Sequence, residues 1–226
     1  MSQRPLLIRF VAFAAIAAAL IVTGYFIIRP SDRLPVFHPK QLDPRLVDPQ
    51  ARRKEGEHRI SDFTLIDQRG DTITLANVEG RIIVADFFFT TCPTICPKMT
   101  KNLARVQEAF PHDWRLAILS HSVTPEMDSV PVLAAYAELH GADPEQWHLL
   151  TGDRAQIYAL ARKSYFACLD EGDGGPQDFV HTENLVLVDT KRRIRGFYDG
   201  TRASATDSLI TDIAKLMRED RWPRHL

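Results

Sequence analysis

Two of the three cysteines in this 226-residue chain lie four residues apart, in the stretch TTCPTICPKM, and a proline follows each of them. Thiolates exchange disulfides and bind soft metal ions, so Cys92 and Cys96 are candidates for a redox couple or for two ligands of a metal site. A disulfide across so short a loop would constrain the unfolded chain little, which argues against a purely structural bridge. Thioredoxin-like oxidoreductases carry C-x-x-C, with one intervening residue fewer. The wider loop lets both sulfurs face one ion, and Cu(I) accepts such a soft site.

A metal held by two thiolates gains from a third ligand, and an imidazole suits copper as Cu(I) or as Cu(II). His121 ends a predicted strand on the sheet edge that carries the cysteines. It is an alternative ligand, a hydrogen-bond partner of a ligand, or an ordinary satisfied or exposed histidine. His181 follows the glycine-rich stretch DEGDGGPQDFV and precedes another predicted strand. It is either a movable ligand or a structural residue, and spacing alone does not decide. We predict that His112, His140 and His148 lie at the surface.

The elements around the cysteines place them where a strand turns into a helix. Arg81–Phe89 (RIIVADFFF) is apolar at nearly every position, as in a strand that is buried on both faces. A helix is predicted over Pro97–Phe110, because apolar residues recur at helical spacing and proline suits a first turn. Met99 belongs to that apolar stripe, so we expect it in the core and not on a metal. Free N–H groups at a helix N-terminus favour thiolates, and ligands bind at this edge of open α/β sheets.

The rest of the folded region alternates strands and helices. Two short strands flank a turn within residues 62–75. After the helix over Pro97–Phe110 the predicted elements are, in chain order, a strand over 115–120, helices over 129–140 and 153–165, strands over 184–189 and 194–199, and a closing helix over 208–217. This order predicts an α/β domain with a central mixed β-sheet flanked by helices.

The N-terminus differs from the rest of the chain. The run from Phe10 to Ile28 carries no charge, and as a helix it would span about 28 Å, close to the thickness of the bilayer core. Arg4 and Arg9 precede it, so the positive-inside rule predicts one transmembrane helix in the cytoplasmic membrane, with the C-terminal domain on the periplasmic or other extracytoplasmic side. The alternative is a signal peptide cleaved near the alanines at 17–19, but the apolar run continues beyond them.

These segments divide the chain into a short cytoplasmic N-terminus (1–9), the anchor (10–28), a proline-rich tether (29–58) and a folded domain (59–226). An extracytoplasmic domain lies where thiols oxidise, and three cysteines are too few for a disulfide scaffold. We expect Cys168 to be a buried apolar thiol, with a resolving or regulatory thiol as the alternative. The net charge of -1 gives no sign of nucleic-acid binding.

Three stretches, DFFFTTCPTICPKM, VTPEMDSVPVLAAY and HTENLVLVDTKRRIRGFYDGT, resemble the Sco/SenC copper-binding proteins over about residues 60–220. The resemblance implies a thioredoxin-like fold, with one copper ion held by Cys92, Cys96 and His181. It further implies a membrane-tethered copper metallochaperone for the copper site of cytochrome c oxidase. The implied partner is the oxidase subunit that carries the binuclear copper site, with other copper chaperones or thiol–disulfide proteins as further partners.

One segment departs from the family's pattern. The family usually has V-D-P-x-x-D after the strand that follows the motif helix, whereas residues 123–128 of this chain read VTPEMD, with Thr124 in place of the first aspartate. We expect the segment to shape the start of a helix, with Asp128 or Ser129 as its N-cap. Copper binding is expected to survive the change.

Three functions remain to be separated. The favoured interpretation is the copper chaperone, which turns over no small substrate. The alternative is a thiol–disulfide oxidoreductase that reduces the cysteines of the oxidase copper site or of another extracytoplasmic partner, with one of Cys92 and Cys96 attacking and the other resolving. A peroxidase is disfavoured, because no arginine lies within the motif. His181 separates the first two functions, since only copper binding requires it.

Overall fold

The computed structural model describes residues 4–28, 33–43, 47, 57–167 and 182–219. The chain forms two compact units, Met1–Asp32 and Arg33–Leu226. Two residues with predicted roles, Cys168 and His181, lie outside the described ranges.

The first unit contains helix α1, Arg4–Ile28. Within the part of the chain that the structure describes, no helix is long and apolar enough to cross a membrane. The membrane anchor over residues 10–28 stays a prediction.

A small antiparallel sheet opens the second unit, formed by β1 (Thr64–Ile66) and β2 (Thr72–Thr74). The chain reverses through Gly70, whose φ of 84° lies in the left-handed region that favours glycine. The two predicted strands on either side of this turn are therefore confirmed.

A five-stranded mixed sheet forms the centre of the unit, in the order β5-β4-β3-β6-β7. Its strands are β3 (Ile82–Phe88), β4 (Leu116–Ser122), β5 (Trp147–Leu150), β6 (Asn184–Val188) and β7 (Ile194–Asp199). Strand β4 lies between β3 and β5 and is parallel to both. Strand β6 lies between β3 and β7 and is antiparallel to both. The central mixed sheet expected from the sequence is confirmed.

Helices cover both faces of this sheet. The helices of the second unit are α2 (Cys96–Ala109), α3 (Val130–His140), α4 (Arg154–Ala159) and α5 (Ala203–Glu219). Apolar side chains of α2, α3 and α5 pack on one face, which we call the α2 face. Helix α4 and the β1–β2 hairpin pack on the other, which we call the α4 face.

All residues of β3 and β4 are buried, because both faces are covered. Successive side chains of a strand point to opposite faces. Val84 and Phe88 of β3 accordingly join the core on the α2 face, whereas Ala85 and Phe87 join the core on the α4 face. This alternation decides which polar side chains share a face with the cysteines.

Three elements differ from the sequence-based expectation. The closing helix, expected over 208–217, extends over Ala203–Glu219. Strand β5 was not predicted, because four residues are too few to show an alternating pattern. The helix expected over 153–165 is α-helical only to Ala159, and a π-helical turn, Leu160–Ser164, continues it. Asp153 caps its start as a short polar residue should, since Oδ1 accepts the N–H of Gln156 at 2.7 Å.

The described part of the predicted tether packs on the domain. The N–H of Phe37 donates to the carbonyl of Ile194 in β7 at 2.9 Å, and the Phe37 ring meets Phe197 edge-on at 5.5 Å. Arg195 donates to the carbonyls of Leu34 and Pro35. Residues 34–37 therefore lie against the outer edge of β7 and are not part of an extended spacer, although the prolines and charges of the segment were typical of one.

Candidate functional site

Strand β3 and helix α2 position the two cysteines. The buried run of β3 ends at Phe88, and α2 begins at Cys96. Between them the chain turns through residues 90–95, which we call the cysteine turn. The N–H of Cys92 donates to the carbonyl of Phe89 at 3.3 Å within that turn. Both thiols are reduced and pack into the core on the α2 face, with Cys92 8% and Cys96 2% exposed. The predicted strand–turn–helix setting of the pair is confirmed.

Cys92 is the thiol that ionises first. Burial opposes its ionisation, but hydrogen bonds from the backbone N–H groups of Cys96, Thr94 and Ile95 outweigh burial and lower the pKa of Cys92 to about 7. The Cys96 N–H lies 3.5 Å from the Cys92 sulfur. These donors belong to the start of α2, where backbone N–H groups have no partner within the helix.

Cys96 behaves in the opposite way. Burial raises the pKa of Cys96 to about 12, and the neighbouring Cys92 and Asp86 add to the rise. At neutral pH Cys92 is therefore about half ionised, whereas Cys96 is a thiol. The thiolate is on the more exposed of the two residues.

Asp86 is a buried carboxyl on the same face of the sheet. It follows Val84 by two positions in β3 and is 2% exposed. Burial raises the pKa of Asp86 to about 7, against a hydrogen bond of 2.5 Å from the Ser120 hydroxyl. Ser120 in turn accepts the indole N–H of Trp147 at 2.9 Å. Asp86 was not among the predicted site residues, and its one signal in the sequence was a charge inside an otherwise apolar strand.

Asp128 is a second buried carboxyl beside the cysteine turn. Asp128 or Ser129 was expected as the N-cap of α3, and Ser129 is at that position, without a side-chain cap bond. The Asp128 carboxylate instead accepts hydrogen bonds from Thr90, Ser122 and Thr124. It thus joins the start of the cysteine turn to the end of β4.

His121 does not approach the thiols. It follows Leu119 by two positions in β4, and Leu119 belongs to the core on the α4 face. Its ring stacks on Phe87 at 4.9 Å, and its Nδ1 lies 3.2 Å from the carbonyl of Asp86. Burial lowers the pKa of His121 to about 4, and its Nε2 has no partner among the described residues. The interpretation as an extra ligand is wrong, because the side chain faces away from Cys92 and Cys96.

His148 and Met99 are both buried, which contradicts one prediction and confirms the other. His148 was expected at the surface, but it is 5% exposed and its Nδ1 lies 3.2 Å from the carboxylate of Asp67. That prediction is wrong, since His148 belongs to β5, the strand that the sequence did not reveal. Met99 is fully buried in the core on the α2 face, as its place in the apolar stripe of α2 predicted.

The predicted third ligand, His181, lies outside the described residues. Over the described ranges, no three His, Cys, Asp or Glu side chains come together as a metal site. The next residue, Thr182, is held in place, because its hydroxyl donates to the carbonyl of Ala167 at 2.5 Å. The Asn184 amide donates to the same carbonyl at 3.0 Å. These bonds fix the two ends between which residues 168–181 run.

Comparison with known proteins identifies the family of this chain. The SCO1/SenC family model matches residues 51–218. Protein SenC of Rhodobacter capsulatus is 30% identical over 217 residues, which cover 89% of this chain and 86% of that protein. The structure of BsSco, a member of the Sco family of cytochrome c oxidase assembly proteins in which a disulfide switch was identified, has a TM-score of 0.60 at 28% identity and covers 71% of this chain and 94% of that one.

A copper-bound relative is also similar in structure. The crystal structure of Arabidopsis thaliana ScoI with copper bound has a TM-score of 0.57 at 26% identity and covers 71% of this chain and 99% of that one. Together with the family match over most of the second unit, these likenesses show that the chain belongs to the SCO1/SenC family and has its thioredoxin-like α/β fold.

Proposed function

We propose that this protein carries one copper ion for the maturation of the copper site of cytochrome c oxidase, and that Cys92, Cys96 and His181 hold the ion. The observation that carries the proposal is the thiol pair at the start of α2, with one sulfur already favoured as thiolate. It occurs in a chain of the family to which the copper-bound ScoI belongs. The partner in this proposal is the oxidase subunit with the binuclear copper site.

The donor set fits a soft ion that must be handed on. Two thiolates and an imidazole are ligands that copper accepts, and a low coordination number leaves room for a partner's ligands to enter. Copper is cargo here, so the chain's task is to bind and release it. Cys92 is the more exposed thiol and ionises first, which makes it the sulfur that an incoming ion meets.

His181 is the natural candidate for the third ligand. It is the covalent neighbour of Thr182, which is tied to Ala167. Strand β6 begins two residues later and pairs with β3, the strand that leads to Cys92. We also propose that residues 10–28 anchor the protein in the cytoplasmic membrane, with the second unit outside the cytoplasm. The uncharged run and the two arginines before it support this.

A copper titration tests the proposed ligands. The full chain, reduced and kept anaerobic in detergent, is titrated with Cu(I) against a competing chelator. We expect one tightly bound copper per chain, and a loss of affinity of at least about tenfold in His181→Ala. His112→Ala is the matched control, because that histidine is on the surface, paired with Asp143. An affinity that does not depend on His181 would remove it from the ligand set.

A thiol–disulfide oxidoreductase is the second candidate function. The difference in pKa between the two thiols favours it. Cys92, which ionises more readily and is more exposed, can attack a disulfide, and the protonated, buried Cys96 can then resolve the mixed disulfide. The Cys92 thiolate attacks a partner disulfide and releases one partner thiolate. Cys96 then loses its proton and attacks the mixed disulfide, which releases the second. The chain ends with a Cys92–Cys96 disulfide, and the partner gains the two electrons.

The mixed disulfide distinguishes this function from copper delivery. In Cys96→Ser the resolving sulfur is missing, so an oxidised partner should be trapped on Cys92. Cys92→Ser should trap nothing, because the remaining thiol is buried and protonated. Equal trapping by both variants would contradict the assigned order of attack.

A further inference from the structure

Among the described residues, the Asp128 carboxylate accepts hydrogen bonds from neutral groups alone. Its Oδ1 accepts the Thr90 hydroxyl at 2.5 Å. Its Oδ2 accepts the Ser122 hydroxyl at 2.5 Å, the Thr124 hydroxyl at 3.0 Å and the Thr90 N–H at 3.3 Å. The residue is 1% exposed and all these donors are neutral. A buried carboxylate is costly unless its hydrogen bonds are made, so these groups are held firmly to it.

The donors come from segments that the sequence keeps far apart. Ser122 ends β4 and Thr124 follows it, whereas Thr90 begins the turn that carries Cys92. The N–H of Val123 also donates to the carbonyl of Phe88 at 2.8 Å, which continues the pairing of β3 and β4 past their ends. Asp128 therefore fastens the first residue of the cysteine turn to the sheet, and α2 fastens the last.

Asp128 does not cap α3, so a role at the start of that helix does not explain why its side chain is buried. Ser129 is the N-cap, and the bonds of the Asp128 side chain go to the β4 end and to Thr90 instead. Thr124 stands where the family usually has an aspartate, and here it donates to Asp128. In this chain the Asp128 carboxylate thus accepts the hydroxyls of Ser122, Thr124 and Thr90.

We propose that Asp128 is a positioning residue for the thiol pair, acting through Thr90 to hold Cys92 at a fixed distance from Cys96. The proposal rests on the proposed function of the pair, as a copper site or a redox couple. Holding two groups in place raises their effective concentration for each other and for a common ion. Releasing Thr90 lowers that concentration, so both the disulfide and the copper complex become less stable.

A matched pair of substitutions tests this. Thr90→Val and Thr124→Val are the same change of shape and chemistry, and each removes one hydroxyl from the same carboxylate. Only Thr90 belongs to the cysteine turn. Thr90→Ser, which keeps the hydroxyl, is the conservative rescue. All variants are made in the full chain with Cys168 replaced by alanine, so that the disulfide equilibrium reports Cys92 and Cys96 alone.

The metal-free readout is the fraction of Cys92–Cys96 disulfide at equilibrium in glutathione buffers, and the second readout is Cu(I) affinity. Losing a hydrogen bond to a buried charge changes an equilibrium by about tenfold. We expect Thr90→Val to lower the disulfide formation constant and the Cu(I) affinity by about tenfold. Thr124→Val should lower both by less than about threefold, and Thr90→Ser should restore both.

Equal effects of Thr90→Val and Thr124→Val would overturn the proposal, because Asp128 would then support the fold alone. So would a disulfide equilibrium that Thr90→Val leaves unchanged. Thermal unfolding checks that each variant is folded, and if Thr90→Val is not, Asp128→Asn is read in its place with the same expected loss. If the natural chain binds no copper, the proposed metal site fails, and the glutathione equilibrium still decides the role of Asp128.

Discussion

The ends of β3 and β4 bury a titratable side chain on each face of the sheet, and the two differ in how they are accommodated. Asp86 pairs in register with Ser120, and one residue further along Phe87 pairs with His121. Asp86 lies on the α2 face and accepts a hydrogen bond from Ser120. His121 lies on the α4 face among aromatic rings, with Nε2 unpartnered in the described structure. Of these two buried groups, the one on the face of the thiols is therefore hydrogen-bonded through its titratable atoms, whereas His121 is chiefly packed.

The two groups also respond to pH in opposite directions. Burial raises the pKa of Asp86, so its contribution to stability is present at low pH and is lost as the pH rises to about 7. Burial lowers the pKa of His121, so its contribution is present above about pH 6.5 and is lost as the pH falls to about 4. Between these limits the two effects offset each other, and single substitutions should separate them.

The largest expected effect tests whether the two faces of the sheet differ in function. Cys96→Ser removes a proposed copper ligand on the α2 face, and we expect the Cu(I) affinity to fall by more than the roughly 100-fold that loss of an outer-shell partner costs. His121→Leu, on the α4 face, should leave the affinity within about threefold. The measurement is Cu(I) competition with a chelator. A large loss of affinity in His121→Leu would show that the faces are not separate in function.

The next effect is that of Asp86→Asn on stability. Asparagine keeps the acceptor for Ser120 and removes the carboxyl that must ionise. Relative to the natural chain, the variant should gain up to about 4 kcal/mol of unfolding free energy as the pH rises from 4 to 7. Urea unfolding of the reduced, metal-free chain across this range measures it. A difference that stays constant with pH would mean that Asp86 ionises normally.

His121→Leu should show a slightly smaller effect of the opposite sign. The natural chain must keep His121 neutral in the core, which costs stability as the pH falls from about 6.5 to 4. The variant should therefore gain up to about 3 kcal/mol relative to the natural chain over that range. The same urea experiment reports it. A gain on raising the pH instead would reverse the assignment of the two groups.

The smallest effect concerns Tyr165, next to His121 at 5.5 Å between ring centroids. Its hydroxyl is fully buried and has no partner among the residues described, so Tyr165→Phe should change the unfolding free energy by less than about 1 kcal/mol. Tyr158→Phe is the control, because that hydroxyl donates to the carbonyl of Val123 at 3.0 Å and its loss should cost about 1 kcal/mol. A cost for Tyr165→Phe that exceeds the control's would reveal a partner for its hydroxyl.

Local patterns predicted the elements that carry the thiols. The apolar run of β3 and the periodicity of α2 were sufficient, because burial on two faces and an amphipathic stripe leave direct marks in the sequence. Strand β5 left none, since it has four residues and no alternation. The mistaken surface position of His148 followed from that omission.

The polar partners of the site depend on strand register, which the sequence does not display. Thr90 and Asp128 are 38 positions apart and meet only because β3 and β4 pair in parallel. Local residue types left the N-cap of α3 open between Asp128 and Ser129, and only the tertiary contact with Thr90 shows that Asp128 has another role. The alternation of side chains along β4 shows that His121 shares a face with Leu119. Which face holds the thiols follows only from the packing of α2, which the sequence does not show.

The segment at residues 33–43 has a consequence for aggregation. Strand β7 is at the edge of the sheet, where unpaired backbone groups can template pairing with another molecule. Phe37 covers that edge through its bond to Ile194, and Arg195, which is 4% exposed, depends on the carbonyls of Leu34 and Pro35. A fragment that begins at residue 59 would leave the edge of β7 unpaired. It would also remove two of the carbonyl acceptors of the Arg195 guanidinium. It should self-associate through β7, whereas a fragment that begins at Arg33 keeps the edge closed.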